Sequence, residues 1–322
     1  MSDYARELEV AREAVRAAVR LTARVQPAPE RTLAKGDRSP VTVADFGAQA
    51  LICAALAEAF PADPVIGEED AAALRAPEGA AVLERVALQV QRERPGATPE
   101  QVCDWIDRGG LRAPAPRAWT LDPVDGTKGF LRREQYGVAL ALIVGGEVVL
   151  GALGCPQLPW DDDDPAGPRG VLAWAVRGQG AFAAPLAGGE PARLRVSARG
   201  PAAARQLESV EPSHHDQDRA GRVRAALGIS APPRRMDSMV KYVVVARGGA
   251  ELYLRLTADG YRQKVWDHAA GALLVTEAGG AVTDLEGRAP DFGEGAELSC
   301  AGGLVVSNGA WHAEALAALR QA

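Results

Sequence analysis

Apolar residues near the start of the chain recur at steps of three and four, which places them on one face of a helix. Leu8 and Val15 belong to this series, which predicts a first helix over residues 3–24. A second helical pattern covers residues 46–60 and ends at Pro61, because proline cannot donate the backbone hydrogen bond that a further turn needs. The chain is thus expected to begin with two helices.

The middle of the chain has the pattern of a sheet. Apolar runs at 137–144 and 147–154 are separated by Gly145-Gly146, which predicts a β-hairpin. Further strands are predicted at 171–176 and from Ala181 onward. We therefore expect an antiparallel sheet in this part of the protein.

Beyond about residue 195 the pattern changes, and segments typical of strands alternate with segments typical of helices. Such alternation indicates a layered α/β unit. We predict an N-terminal α+β domain over residues 1–195 and a smaller C-terminal α/β domain over residues 196–322. The predicted strands cover 206–210, 251–256, 281–283 and 304–307, and the predicted helices cover 216–227, 238–247, 266–278 and the residues after 310.

Two segments look peripheral to this plan. Residues 71–117 contain a helical pattern over 81–91 but are otherwise rich in Pro and Gly, so we interpret them as a surface insertion. The run Asp161-Asp162-Asp163-Asp164 could hold a metal ion, but four adjacent acids before a proline are more typical of a solvated loop.

The composition is that of a soluble globular protein, with 47% hydrophobic and 24% charged residues among 322. Because the formal net charge is -6, we expect neither a nucleic acid nor an anionic membrane as partner. The N-terminus lacks a basic start followed by an apolar segment, and no stretch is long and apolar enough to span a bilayer. We predict a cytoplasmic protein and favour a monomer.

The four cysteines are far apart in sequence and form no C-x-x-C pair. This spacing favours reduced, mostly buried thiols over a disulfide framework or a zinc site.

The strongest chemical signal is a turn within residues 119–130, directly after an apolar run. Asp122 and Asp125 lie three residues apart there, and the intervening proline and the glycine that follows impose the turn. Both carboxylates and the Val124 carbonyl can direct oxygens at one point, a ligand set that suits Mg²⁺, Mn²⁺ or Ca²⁺ rather than zinc. Thr127 offers a hydroxyl to a water that such a cation holds. Taken alone, the same five residues could form an ordinary surface turn.

Further acids lie at the ends of predicted elements, where functional sites are commonly built. Asp37 lies in a loop, Asp45 at a helix start, Glu68 after a short strand and Asp267 at another helix start. Asp45 by itself could simply favour the helix dipole. If Glu68 and Asp267 meet the two acids of the turn, the cluster could hold two or three Mg²⁺ ions, as in phosphoryl transfer to water.

Four motifs together resemble the inositol monophosphatase superfamily of lithium-sensitive, Mg²⁺-dependent phosphatases. Within it, the Lys-Gly-Phe-Leu-Arg extension and the Trp-Asp-His tripeptide most resemble the 3'(2'),5'-bisphosphate nucleotidases. The likeness runs from about Lys35 to the last predicted strand and implies a layered αβαβα sandwich. The motifs are Asp37-x-Ser39-Pro40-Val41-Thr42-x-x-Asp45, Gly67-Glu68-Glu69, residues 121–132 and residues 266–271.

The resemblance implies a set of metal ligands. Glu68, Asp122 and the Val124 carbonyl would hold one Mg²⁺, and Asp122, Asp125 and Asp267 a second. A third, weaker ion near Glu68 would complete the set, and Mn²⁺ could replace Mg²⁺.

The resemblance also implies catalytic roles. Asp37 and Thr127 would polarise the water that attacks phosphorus, and Glu68 would act with them. Asp45 would support the site without binding metal directly.

Substrate contacts are implied for residues of both predicted domains. Ser238, Lys241 and Arg255 would bind the nucleotide and its second phosphate, although they could instead be a helix cap and two solvated charges. Either His214 or His215 would lie near the sugar and base. Gly126, Thr127 and Asp267 complete the set of implied substrate-binding residues.

The expected reaction is therefore Mg²⁺-dependent removal of the 3'-phosphate of adenosine 3',5'-bisphosphate or of its 5'-phosphosulfate form. One alternative keeps the chemistry but uses an inositol phosphate. Another alternative is a nucleotide-binding regulatory protein without catalysis.

Overall fold

A computed structural model of the protein describes residues 3–26, 43–162, 164–210, 216–257, 260–300 and 302–322, with the backbone of residues 33–34 and 40–41. Three predicted site residues, Asp37, His214 and His215, lie outside the described residues, as does Asp163 of the acidic run.

Most helices in the described ranges lie close to the predicted positions, but those at 72–75, 99–107 and 127–132 were not predicted. Apolar side chains at three- and four-residue steps form the buried stripe of the first helix, as the pattern indicated. In chain order the helices are α1 (Ala5–Val25), α2 (Val43–Ala59), α3 (Ala72–Arg75), α4 (Ala80–Gln91), α5 (Pro99–Asp107), α6 (Thr127–Arg132), α7 (Gln217–Ala226), α8 (Val240–Ala246), α9 (Ala269–Glu277) and α10 (His312–Gln321).

The longer strands also follow the predicted runs, and the hairpin at Gly145-Gly146 is confirmed, whereas the two-residue strands were not predicted. In chain order they are β1 (Leu33–Ala34), β2 (Pro40–Val41), β3 (Val65–Gly67), β4 (Arg117–Asp125), β5 (Gly137–Val144), β6 (Glu147–Pro159), β7 (Arg169–Val176), β8 (Gly180–Pro185), β9 (Ala192–Arg193), β10 (Gln206–Glu208), β11 (Arg234–Arg235), β12 (Leu252–Leu256), β13 (Gln263–Lys264), β14 (Ala281–Asp284), β15 (Glu297–Leu298) and β16 (Gly303–Ser307).

Two large sheets organise these strands. A seven-stranded sheet has the order β3-β4-β5-β6-β7-β8-β9 and is antiparallel except for the parallel pair β3 and β4. A five-stranded sheet has the order β11-β10-β12-β16-β14 and mixes parallel with antiparallel pairs. The sheets lie on either side of residue 195 in sequence, and the division into two domains there stays a prediction.

Alternation along β5 shows how the layers form. Val138, Leu140 and Leu142 pack in a hydrophobic cluster with α1 and α2, whereas Ala139 and Ala141 face a second cluster with α8 and α9. Successive side chains of a strand point to opposite faces, so one strand contributes to both cores. The second cluster also reaches the five-stranded sheet, whose far face packs against α7 and α10. The layers are thus helix, sheet, helix, sheet, helix, which confirms the αβαβα sandwich.

The interpretation of residues 71–117 as a surface insertion is wrong. This segment forms α3, α4 and α5, and its residues Val86 and Ile106 are buried in a cluster with Phe46 of α2. The error came from reading Pro99 as a loop residue. Proline suits the first position of a helix, and Thr98 before it closes a capping box with Gln101.

The acidic run is only partly the solvated loop that we expected. Asp162 accepts hydrogen bonds from Arg247 at 2.5 Å and from Arg234 at 3.1 Å, so one of the four acids joins the loop after β6 to the C-terminal half of the chain by ion pairs. All four cysteines are free and buried, as predicted. Among the described residues, no helix is both long and apolar enough to cross a lipid bilayer.

Candidate metal centre and active site

The turn that follows β4 is built around a glycine. Ladder pairing between β4 and β5 is interrupted between Asp122 and Asp125, where the strand leaves regular geometry. Gly126 then adopts a φ of 87°, in the left-handed region that favours glycine, just before α6 begins. A Cβ atom at this position would lie 2.9 Å from Cβ of Ser238. The turn is therefore a specific structure in contact with the C-terminal half, which excludes an ordinary surface turn.

Three acids converge at this turn. One carboxylate oxygen from each of Asp122, Asp125 and Asp267 lies within 4.8 Å of the other two. Asp267 arrives from a single helical turn, residues Val265–Asp267, just before α9. The separation of these oxygens fits ligands that share one or two cations, and oxygen donors of this kind suit Mg²⁺.

The electrostatics of the cluster are unfavourable without a cation. Burial raises the pKa of Asp122 well above its usual range, and the charges of Glu68, Asp125 and Asp267 raise it further. Burial raises the pKa of Asp125 as well, although the backbone N–H of Met239 opposes this shift. Burial raises the pKa of Asp267 to about 7, with Arg255 opposing. A divalent cation would compensate the negative charges and so stabilise the deprotonated carboxylates.

Glu68 is not one of the three closest acids, but its charge raises the pKa of each of them. It follows β3 on a loop that buried Gln49 holds in place. The Gln49 amide nitrogen donates to the carbonyl of Glu69 at 2.7 Å and to that of Ile106 at 2.8 Å. Its amide oxygen accepts the N–H of Glu69 at 3.0 Å. Sequence reasoning missed Gln49; a lone amide in the otherwise apolar middle of α2 was the available signal.

Asp45 lies buried in the first turn of α2, and its charge contributes to the raised pKa of Asp122. This position fits the supporting role that the family resemblance implies for Asp45.

Val124 and Thr127 are linked to each other. The Val124 N–H donates to Oδ1 of Asp122 at 3.1 Å, and the Thr127 hydroxyl donates to the Val124 carbonyl at 3.3 Å. A carbonyl oxygen has two lone pairs, so the Val124 oxygen keeps one for a metal ion. The hydroxyl of Thr127 is thereby placed beside the acid cluster.

The segment around Ser238 packs against the turn at Asp125 and Gly126. Ser238 has a φ of 68°, and its Oγ accepts the N–H of Val240 at 3.1 Å. The N–H of Met239 donates to Asp125. Ser238 therefore bonds the first residue of α8 without being its N-cap, which is Met239, and it also lies against Gly126. An ion pair between Arg132 and Asp237, with 2.5 Å between the atoms, fastens this segment to α6.

Lys241 and Arg255 are not the solvated charges of the alternative interpretation. Lys241 is only 2% exposed, and its ammonium donates to the Met236 carbonyl at 3.0 Å. Burial lowers the pKa of Lys241 to about 8, while the charge of Asp125 opposes the shift. The Arg255 guanidinium forms an ion pair with Asp267 at 3.4 Å. The structure therefore brings two cations to the edge of the acid cluster.

Small residues after Asp267 allow α9 to lie deep between its neighbours. A Cβ atom on Gly271 would lie 2.4 Å from the Tyr242 ring, and one on Gly151 of β6 would lie 2.9 Å from Cα of Ala270. Larger side chains at these positions would prevent this close approach. This packing explains how Asp267 reaches the end of β4.

A sequence profile of one protein family matches residues 3–322, nearly the whole chain. The chain belongs to the inositol monophosphatase family. This membership confirms the resemblance carried by the four motifs.

Relatives in this family are similar along almost their full length. A protein of Emericella nidulans named 3'(2'),5'-bisphosphate nucleotidase is 40% identical over 346 aligned residues, covering 99% of this chain and 98% of the relative. One of the same name from Schizosaccharomyces pombe is 40% identical over 323 residues, covering 94% of this chain and 91% of the relative.

Solved structures of the family share the fold. The IMPase of Thermotoga maritima matches with a TM-score of 0.66 at 22% identity, covering 98% of this chain and 97% of the other. CysQ from Bacteroides thetaiotaomicron matches with a TM-score of 0.63 at 21% identity, covering 95% and 98%. These likenesses confirm the inositol monophosphatase type of sandwich.

Proposed function

We propose that this protein is a Mg²⁺-dependent phosphomonoesterase that removes the 3'-phosphate of adenosine 3',5'-bisphosphate, producing AMP and phosphate. The observation that carries the proposal is the convergence of Asp122, Asp125 and Asp267, whose pKa values are all raised. Relatives named 3'(2'),5'-bisphosphate nucleotidase, at 40% identity over nearly the whole chain, support this substrate class. The 5'-phosphosulfate form of the nucleotide is proposed as a second substrate.

The proposed metal ligands are the carboxylates of four acids and one backbone carbonyl. Bound Mg²⁺, in two or three positions, would compensate the acids and stabilise negative charge on the phosphoryl oxygens, and Mn²⁺ could replace it. The donor set fits, because oxygens of Asp122, Asp125 and Asp267 lie within 4.8 Å of one another and the charge of Glu68 raises the pKa of all three acids. The ligands are Glu68, Asp122, Val124, Asp125 and Asp267.

Thr127 is proposed to orient the attacking water. Its hydroxyl is held by the Val124 carbonyl and can both donate and accept a hydrogen bond. Asp37 is proposed to receive the water's proton together with Thr127, and Glu68 to assist. Asp37 lies outside the described residues, so its role is based on the sequence motif.

The nucleotide is proposed to lie toward the C-terminal half. Arg255 offers a planar fork for phosphate, and the Lys241 charge adds to the positive potential there. Ser238 and Gly126 line the approach to the turn. His214 and His215, which lie outside the described residues, are proposed for the sugar and base.

A panel of phosphate esters tests the proposal. Phosphate release is measured with Mg²⁺ for adenosine 3',5'-bisphosphate, its phosphosulfate form, inositol 1,4-bisphosphate and inositol 1-phosphate. We expect kcat/KM for the nucleotides to exceed that for the inositol phosphates by at least about tenfold, a difference of about 1.4 kcal/mol. Li⁺ should inhibit the reaction.

Equal or better turnover of the inositol phosphates would contradict the nucleotide assignment and favour an inositol phosphate as the substrate. Nucleotide binding without any phosphate release would favour the regulatory alternative. The proposal further takes the enzyme to be a cytoplasmic monomer with a small-molecule substrate, and sedimentation would test the monomer.

A further inference from the structure

Three buried polar side chains lie end to end behind Asp267. The Tyr242 hydroxyl is 2.8 Å from Nδ1 of His268, and Nε2 of His268 is 2.9 Å from Oε1 of Gln263. Tyr242, His268 and Gln263 are each at most 1% exposed. Because an unpaired polar atom is costly in such an interior, a continuous chain of this kind must have its hydrogens in a definite order.

Arg255 sets that order. The Arg255 Nε can only donate a hydrogen bond, so the Gln263 atom at 3.3 Å from it is the amide oxygen. The Gln263 amide nitrogen accordingly donates to Oγ1 of Thr257 at 2.9 Å. Nε2 of His268 must then carry a hydrogen, which it donates to the same Gln263 oxygen. Nδ1 accepts from the phenol of Tyr242.

One amide oxygen therefore receives hydrogen bonds from both His268 and Arg255. This contact holds the Nε end of the guanidinium, while its Nη2 faces Oδ2 of Asp267 at 3.4 Å. The orientation of the Arg255 guanidinium is thus set by Gln263 and His268, which do not belong to the turn after β4.

We infer that His268 and Gln263 are positioning residues that act through Arg255 and hold its guanidinium ready for the nucleotide phosphate. The inference rests on the proposed function, in which Arg255 binds substrate. Preorganising a side chain mainly lowers the cost of binding. Loss of the relay should therefore raise KM more than it lowers kcat.

The test uses two substitutions of Gln263, one that removes the hydrogen-bond acceptor and one that keeps it. Gln263→Met fills the space without an acceptor, whereas Gln263→Glu keeps an oxygen for both His268 and Arg255, with the Thr257 hydroxyl turning to donate. At saturating Mg²⁺, we expect Gln263→Met to raise KM for adenosine 3',5'-bisphosphate about tenfold with kcat within about twofold of wild type. Gln263→Glu should recover most of the wild-type KM.

A double-mutant cycle shows whether the effect passes through Arg255. In an Arg255→Ala background, Gln263→Met should add less than about twofold to KM, because the group that it positions is gone. His268→Phe should resemble Gln263→Met, and thermal unfolding checks that each variant folds. The Gln263 pair keeps the test decisive if His268→Phe does not fold.

The inference would be overturned if kcat fell by as large a factor as KM rose, or if Gln263→Glu did not recover the wild-type KM. It would also be overturned if Gln263→Met raised KM as much in the Arg255→Ala background as in the wild type. If the wild type hydrolyses the bisphosphate but KM is unchanged in the Gln263 and His268 variants, this inference is overturned and the proposed function is not. Absence of that wild-type activity would overturn the proposed function and this inference with it.

Discussion

Glu251 and Asp122 are both buried carboxylates, at 0% and 2% exposure, but their surroundings are opposite. Glu251 accepts hydrogen bonds from the Ser197 hydroxyl at 2.7 Å and from Arg199 at 2.9 Å, and further bonds from Arg205. Burial alone would raise the pKa of Glu251, but the hydrogen bonds from Arg205 and its neighbours lower it overall. Around Asp122 the nearest charges are acids, and its pKa is raised.

The difference separates two uses of a buried acid. The charge of Glu251 is compensated by cations of the same chain, so this residue holds the fold together. The acids around Asp122 outnumber the cations nearby, so their compensation must come from outside the chain. Burial alone does not distinguish a structural carboxylate such as Glu251 from a proposed metal ligand such as Asp122, whereas the sign of the neighbouring charges does.

The largest expected difference between the two acids is in activity. Asp122→Asn keeps the side-chain shape but removes a charge that the cations need, so we expect kcat with Mg²⁺ to fall by about 10³ or more. Glu251→Gln, as the matched control, should keep kcat within about threefold when folded. An Asp122→Asn variant with more than a tenth of wild-type kcat would contradict the assignment of the metal centre.

Stability should change in the reverse sense. Glu251→Gln leaves Arg199 and Arg205 without their shared partner, and we expect the free energy of unfolding to fall by about 2 kcal/mol. This value is smaller than the roughly 3–5 kcal/mol lost when a fully buried pair is broken, because both arginines are partly exposed. Without Mg²⁺, Asp122→Asn should instead raise the free energy of unfolding by about 1 kcal/mol, since it removes repulsion. Urea unfolding of both variants without metal measures the contrast, and a loss in both would contradict it.

A third expected difference is a pH dependence of stability that Mg²⁺ weakens. The pKa of Asp267 is about 7 in the folded protein against an ordinary 3.8, so between these values the folded state binds more protons than the unfolded state. Stability of the metal-free protein should therefore fall as pH rises from about 4 to 7. Mg²⁺ binds the deprotonated acids, so it should raise Tm more at pH 8 than at pH 6.

Thermal unfolding with and without Mg²⁺ measures this linkage. Asp267→Asn is the control, and it should weaken both the pH dependence and the response to Mg²⁺. An equal Mg²⁺ effect on wild-type Tm at both pH values would show that the raised pKa values do not govern binding.

Much of the fold and of the acid cluster could be predicted from the sequence. Asp122, Asp125 and Asp267 were identified because they follow local patterns, a turn after a strand and an acid at a helix start. The layers followed from apolar periodicity, as in β5, where alternate residues face different cores.

Contacts between distant segments could not be predicted in the same way. Nothing near Gln263 in sequence indicates that its amide oxygen bonds both His268 and Arg255, because that pairing depends on how β12, β13 and α9 meet. Lys241 was expected to be a substrate ligand or a solvated charge, and its burial arises from packing beside Asp125. The helix α5 was missed because its start signals were also loop signals.

Gln49 has a consequence for engineering this protein. Its amide joins α2, the loop that carries Glu68 and the end of α5 at Ile106. Removing residues 71–117 to obtain a smaller catalyst would take away one of these three attachment points. A deletion that leaves every acid of the cluster in place would therefore still loosen the loop that carries Glu68, so the minimal functional unit includes the segment least suggestive of chemistry in the sequence.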